Sequence, residues 1–133
     1  MVTRRIAMCL AISSVLGGSQ AFAAAKYSRA MRLLDSDRDG TVDLEEAKKA
    51  AAKLFDKLDR DRDGTLELSE LRGRLSAAEF GASDPDKDKT LSKDEYLTLV
   101  EKRFKAADSD NDGTLDDKEL HSRAGEALLR LLQ

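Results

Sequence analysis

Apolar residues along this chain fall into two alternating patterns. Leu44, Ala47, Ala51, Leu54, Phe55 and Leu58 recur at three- and four-residue spacing, as do Tyr96, Val100, Phe104 and Ala107, which predicts helices with one buried face. Between such stretches lie polar segments dense in aspartate, each with an apolar residue in its second half: Val42, Leu66, Leu91 or Leu115. Four residues before each segment stands Met31, Phe55, Phe80 or Phe104. We expect the second set to come from the helices and the first to form short antiparallel contacts between paired segments. Ser76-Ala77-Ala78-Glu79 reads as a capping box that starts a new helical turn. A break between Gly73 and Ser76 would let the chain reverse, pairing the second polar segment with the third and the first with the fourth. The alternative is an unbroken zigzag that pairs first with third and second with fourth.

The first 23 residues follow a third pattern. Arg4 and Arg5 precede a short apolar run from Ile6 to Leu16, and Ala21-Phe22-Ala23 has the small-x-small form of a cleavage site. The run is shorter than the roughly 18 apolar residues that suggest a membrane span, so residues 1–23 are expected to be a secretory signal peptide and residues 24–133 the folded domain. The expected compartment is the periplasm, with no membrane attachment after cleavage.

The polar segments are four versions of one twelve-residue repeat: DSDRDGTVDLEE from Asp35, DRDRDGTLELSE from Asp59, DPDKDKTLSKDE from Asp84 and DSDNDGTLDDKE from Asp108. All four fit the EF-hand loop, with acids at positions 1, 3, 5 and 12. A hard cation of Ca²⁺ size takes about 6–8 oxygens at roughly 2.3–2.6 Å, which alternate residues of a tight loop can supply. The expected metal ligands are Asp35, Asp37, Asp39, Thr41, Asp43 and Glu46 in loop 1, and Asp59, Asp61, Asp63, Thr65, Glu67 and Glu70 in loop 2. Loop 3 offers Asp84, Asp86, Asp88, Thr90 and Glu95, and loop 4 Asp108, Asp110, Asp112, Thr114, Asp116 and Glu119. The threonines would act through backbone carbonyls and the position-12 glutamates as two-oxygen clamps. Position 6 needs a positive φ, which Gly40, Gly64 and Gly113 supply at no cost, whereas loop 3 has Lys89 and is expected to be the most strained.

The loops start 24, 25 and 24 residues apart. Only 12 or 13 residues separate the end of one from the start of the next, so one helix must serve as both outgoing and incoming helix. The predicted fold is all-α, a compact bundle of short helices joined by four EF-hand loops.

Charge gives the repeat its chemical weight. The chain of 133 residues carries 23 Lys+Arg against 26 Asp+Glu, with one Cys, one Pro, one His and 5% aromatic residues. Loss of residues 1–23 would remove two arginines and the lone Cys9, leaving 21 bases against 26 acids. Nineteen of those acids are expected ligands, so a basic scaffold holds four anionic sites. Loops 1, 2 and 4 each have a fifth carboxylate at position 9, and five anions tilt a site towards trivalent ions. The opposing reading, equally open at this point, is that position 9 merely orients a water in a calcium loop.

The four loops at this short spacing, with the FDKLD, LRGRLS and RFKAADSDNDGTLD stretches and the AGEALLRLL tail, resemble the lanmodulins, periplasmic lanthanide-binding EF-hand proteins of methylotrophic bacteria. The resemblance implies selective binding of lanthanide(III) ions such as La, Ce and Nd, with Ca²⁺ as a weaker ligand. It also implies a largely disordered metal-free state that compacts with metal, and a role in lanthanide uptake and handling beside lanthanide-dependent alcohol oxidation. The family's extra acid at position 9 matches Asp43, Asp116 and, in longer form, Glu67, but not Ser92. Its proline at position 2 matches only Pro85, where the other loops have Ser36, Arg60 and Ser109. Loop 3 thereby loses both the glycine and the ninth-position acid and is expected to be the weakest site.

Two other classes stand against this reading. A calcium buffer or sensor engaging a protein partner would need an apolar, Met-rich surface, and Met31 is the only methionine beyond the signal segment. An enzyme is not expected, because no cysteine remains, His121 is the sole histidine and the clustered acids already have ligand roles. Lys and Arg are interspersed with acids rather than clustered, which argues against nucleic-acid binding. A metal-dependent dimer or a lanthanide-handling partner in the periplasm stays open.

Overall fold

Helix starts in this chain are set by residues that can accept a hydrogen bond from their own first turn. The computed structural model describes residues 27–71 and 73–133, and the expected signal segment lies outside them. Ser28 caps α1 (Arg29–Leu34), Asp43 caps α2 (Leu44–Leu58), Ser76 caps α3 (Ala77–Ser83) and Ser92 caps α4 (Lys93–Ala107). Asp116 caps α5 (Asp117–Leu120) and Ser122 caps α6 (Arg123–Leu129). The caps of α2 to α5 are full capping boxes, closed by Glu46, Glu79, Glu95 and Glu119. Three of those four glutamates are the expected metal clamps.

Each loop carries one two-residue strand: β1 (Val42–Asp43), β2 (Thr65–Leu66), β3 (Leu91–Ser92) and β4 (Thr114–Leu115). β1 runs antiparallel to β4 with Val42 opposite Leu115, and β2 antiparallel to β3 with Leu66 opposite Leu91. Loops 1 and 4 therefore meet at one end and loops 2 and 3 at the other, the pairing expected from the break before Ser76. The four strand residues are fully buried, and Met31, Phe55, Phe80 and Phe104 pack into the same core.

Helices α2 and α4, with 15 residues each, do double duty as expected, leaving one loop and entering the next. They pack against each other, with the Phe55 and Tyr96 rings edge to face at 5.7 Å. Among the described residues, loop 2 has no outgoing helix. Glu67, at the cap position, accepts the Glu70 N–H through its backbone carbonyl rather than its side chain, as befits a residue type seldom chosen for caps. The chain instead runs through turns past Gly73, at φ 72°. Leu71 and Leu75 in this stretch are nonetheless buried.

The C-terminal segment closes the bundle. Arg103 Nη1 donates to the Ala127 carbonyl at 2.6 Å and its Nη2 to Glu79 at 2.8 Å. Arg74 donates to the carbonyls of Arg130 and Gln133. The Tyr96 hydroxyl donates to the Leu131 carbonyl at 2.8 Å, and burial pushes its pKa up to about 12. Gly125 fits α6 against loop 4, for a Cβ there would lie 2.0 Å from the Glu119 carbonyl oxygen and 2.5 Å from that of Leu120. Both are backbone atoms, so Gly125→Ala must displace α6. A loss of about 1–3 kcal/mol, typical of overpacking, is expected as a lower melting temperature of the metal-loaded protein by calorimetry.

Candidate metal centre

The loop backbones dictate where the carboxylates go. Position 4 (Arg38, Arg62, Lys87, Asn111) and position 6 (Gly40, Gly64, Lys89, Gly113) are all left-handed, with φ between 56° and 88°. These two kinks turn backbone N–H groups and alternate side chains into one concavity. The position-6 N–H donates to Oδ2 of the position-1 aspartate in all four loops, at 2.9–3.0 Å. Lys89 thus adopts the strained conformation expected of it, at φ 68°. Position 4 is equally left-handed in every loop, which the glycine pattern did not reveal.

Acidic ligand atoms converge to within 4.8 Å of one another in each loop: Asp35, Asp37 and Asp39; Asp59, Asp61 and Glu70; Asp84, Asp86 and Glu95; Asp108, Asp110 and Glu119. The position-5 aspartates accept both the N–H and the hydroxyl of Thr41, Thr65, Thr90 or Thr114, at 2.8–3.0 Å. Position 9 lies outside these clusters. One oxygen each of Asp43 and Asp116 accepts the clamp's N–H at 2.8 Å, and Ser92 Oγ does the same at 3.3 Å. The clamp returns the bond, with Glu46, Glu70, Glu95 and Glu119 accepting from the position-9 N–H at 2.7–3.1 Å. Position 9 therefore holds the clamp and starts the helix, a role written in the D/S-x-x-E spacing of residues 43–46, 92–95 and 116–119. Asp43 Oδ2 and Asp116 Oδ2 have no hydrogen bond among the described residues and remain open to an ion or its water.

Protonation equilibria record the crowding. Asp37, Asp61 and Asp110 sit above the ordinary aspartate pKa. In each, the position-5 N–H pulls the pKa down but is outweighed by desolvation, the hydrogen bond to the position-1 aspartate and the charges of position 5 and the clamp. Asp86 is raised chiefly by its hydrogen bond with Asp84. Asp39, Asp63 and Asp112 are lowered, first by the backbone N–H of the following threonine. Position 3 thus holds its proton more tightly than an ordinary aspartate, where a cation would sit. Loop 3 adds a direct sign of fit: Asp84 is 5% exposed, and its buried Oδ1 has no hydrogen-bond partner. Carboxylate oxygens at this spacing, one of them unsatisfied, suit a hard cation.

The EF hand family matches residues 29–49, 51–76 and 99–122, more than half of the chain. The chain belongs to the EF-hand family. The matched segments span loops 1, 2 and 4. Loop 3, with Lys89 at the glycine position, falls between them, yet its aspartate cluster and its β3 strand place it with the other EF-hand loops. The protein is also similar to lanmodulin of Methylorubrum extorquens, at 69% identity over 45 residues. The match covers 34% of this chain and 34% of that relative, about a third of its length.

The raised position-3 carboxyls set a pH dependence. An acid whose pKa is raised by folding binds its proton more tightly folded than unfolded, so it stabilises the fold at low pH and that contribution fades as pH rises through the folded-state value. Asp39, Asp63 and Asp112 act in the opposite sense, and their contribution is lost only as pH falls below the ordinary aspartate value of 3.8. Chelator-treated protein should therefore gain helical ellipticity as pH falls from neutrality towards the ordinary aspartate value of 3.8 and lose it again below that value. Circular dichroism at 222 nm checks both limbs.

Proposed function

We propose that this EF-hand protein is an exported metal-capture protein that binds trivalent lanthanide ions in preference to Ca²⁺ and completes its folding around them, in lanthanide uptake or handling. The observation that carries metal capture is the convergence of ligand oxygens to within 4.8 Å in four loops, with Asp84 Oδ1 left unsatisfied. The likeness to lanmodulin and the fifth carboxylate of loops 1, 2 and 4 support the trivalent preference. Glu70, Glu95 and Glu119 would hold the ion with the aspartates at positions 1 and 3, joined in loop 1 by Asp39. A trivalent ion would neutralise more of the loop charge than a divalent one.

Export rests on the sequence of residues 1–23, which supports a periplasmic location. Among the described residues no helix is long and apolar enough to cross a membrane. Binding rather than catalysis is the reading we adopt: the clustered acids belong to the loops, and His121 is exposed with Nδ1 2.7 Å from the Asp117 carbonyl. Met31 is buried in the core, so it offers nothing to a calcium-dependent partner helix.

Titration of chelator-treated protein with La³⁺ and separately with Ca²⁺, at buffered free-ion concentrations, should show helical ellipticity rising at lower free La³⁺ than free Ca²⁺. Coincident midpoints would refute the trivalent preference while leaving metal binding intact.

A further inference from the structure

The four loops share one backbone design but differ in what holds the clamp glutamate. In loop 1 Glu46 Oε1 accepts the Ser36 N–H at 2.7 Å, the Ser36 hydroxyl at 2.9 Å and the Asp37 N–H at 3.3 Å. In loop 4 Glu119 Oε1 accepts the Ser109 N–H and hydroxyl, both at 3.0 Å. Loop 2 keeps a single contact, from the Arg60 N–H to Glu70 at 3.3 Å. Pro85 has neither N–H nor hydroxyl, and Glu95 Oε1 has no hydrogen bond among the described residues.

A carboxylate oxygen has two lone pairs. Two or three donors occupy those of Glu46 Oε1 and Glu119 Oε1, so a cation clamped by both oxygens must displace a donor. Glu95 Oε1 presents both lone pairs free. Asp84 Oδ1, beside it in the same cluster, is buried and unpartnered, whereas Asp35, Asp59 and Asp108 each accept the position-5 N–H there at 3.1–3.2 Å.

From this we infer that the second loop residue is a positioning residue for the clamp: Ser36 and Ser109 fill lone pairs of Glu46 and Glu119 that an incoming ion would use, and Pro85 leaves those of Glu95 open to it. The inference rests on the metal-binding reading and deepens it. It also alters the standing of loop 3. Lys89 already has its left-handed φ in the fold described, and Ser92 caps the helix as Asp43 and Asp116 do.

The test is a La³⁺ titration of the whole domain followed by ¹⁵N-resolved amide spectra, with the position-6 amides of Gly40, Gly64, Lys89 and Gly113 reporting one loop each. Ser36→Ala and Ser109→Ala should lower the midpoint of their own loop by a few-fold to about tenfold, the worth of one hydrogen bond. Pro85→Ser should raise that of loop 3 by a similar factor, Pro85→Ala, which restores only the N–H, by less. Ser36→Thr keeps the hydroxyl and should match the parent. Unchanged or reversed midpoints, or shifts spread over all four loops with altered metal-free ellipticity, would overturn the latch in favour of a general stability effect. If no position-6 amide responds to La³⁺ or Ca²⁺, the metal-binding reading itself falls.

Discussion

Like charge held at close range is the constraint on which this molecule depends. Each loop folds so that carboxylate oxygens approach within 4.8 Å of one another, an arrangement that opposes itself unless something positive or proton-donating enters it. Backbone N–H groups at positions 5 and 6 and threonine hydroxyls perform that service in part. The mismatch is greatest in loop 3, where Asp84 keeps a buried oxygen with no donor. A cation can answer all four sites at once, and the basic remainder of the chain tolerates the resulting positive charge because its lysines and arginines are dispersed along the helices.

The rest of the architecture ties these sites together. Val42 with Leu115 and Leu66 with Leu91 join the loops in pairs through fully buried contacts. The two pairs are then linked by α2 and α4, each about 22 Å long at 1.5 Å per residue, since α2 leaves loop 1 and enters loop 2 while α4 leaves loop 3 and enters loop 4. A change in the clamp of loop 1 or loop 3 is a change in the first turn of one of these struts. The clamp closes the capping box, so helix nucleation and metal coordination draw on the same glutamate. Such sharing couples local charge neutralisation to helix stability, the link through which metal binding would become a folding event.

Much of this was legible in the sequence because the repeat fixes residue spacing on the scale of single hydrogen bonds. The twelve-residue register located the clusters, and the capping box at Ser76 with the apolar eighth residue of each loop gave the pairing of its ends. Other features left weaker traces. The left-handed position 4 is occupied by Arg38, Arg62, Lys87 and Asn111, of which only asparagine advertises that conformation. The missing outgoing helix of loop 2 follows from one methylene, Glu67 in place of an aspartate cap. The closing of the bundle by Arg74 and Arg103 could not be read at all, since their acceptors in the C-terminal segment are backbone carbonyls, which every residue possesses.

Position 9 illustrates how one residue can carry two arguments that sequence alone merges. Asp43 and Asp116 were read as extra carboxylate ligands, and they also form the helix caps that hold Glu46 and Glu119. Removing either side chain to alanine would release the clamp and weaken the helix start as well as subtract a charge, so the outcome could not be assigned to electrostatics. Loop 3 shows how the roles come apart, for Ser92 keeps the cap with a neutral hydroxyl. Asp-to-Ser exchange at position 9 therefore isolates the contribution of charge, while Asp-to-Ala mixes charge with architecture. Any account of ion preference in these loops has to be built on the former comparison.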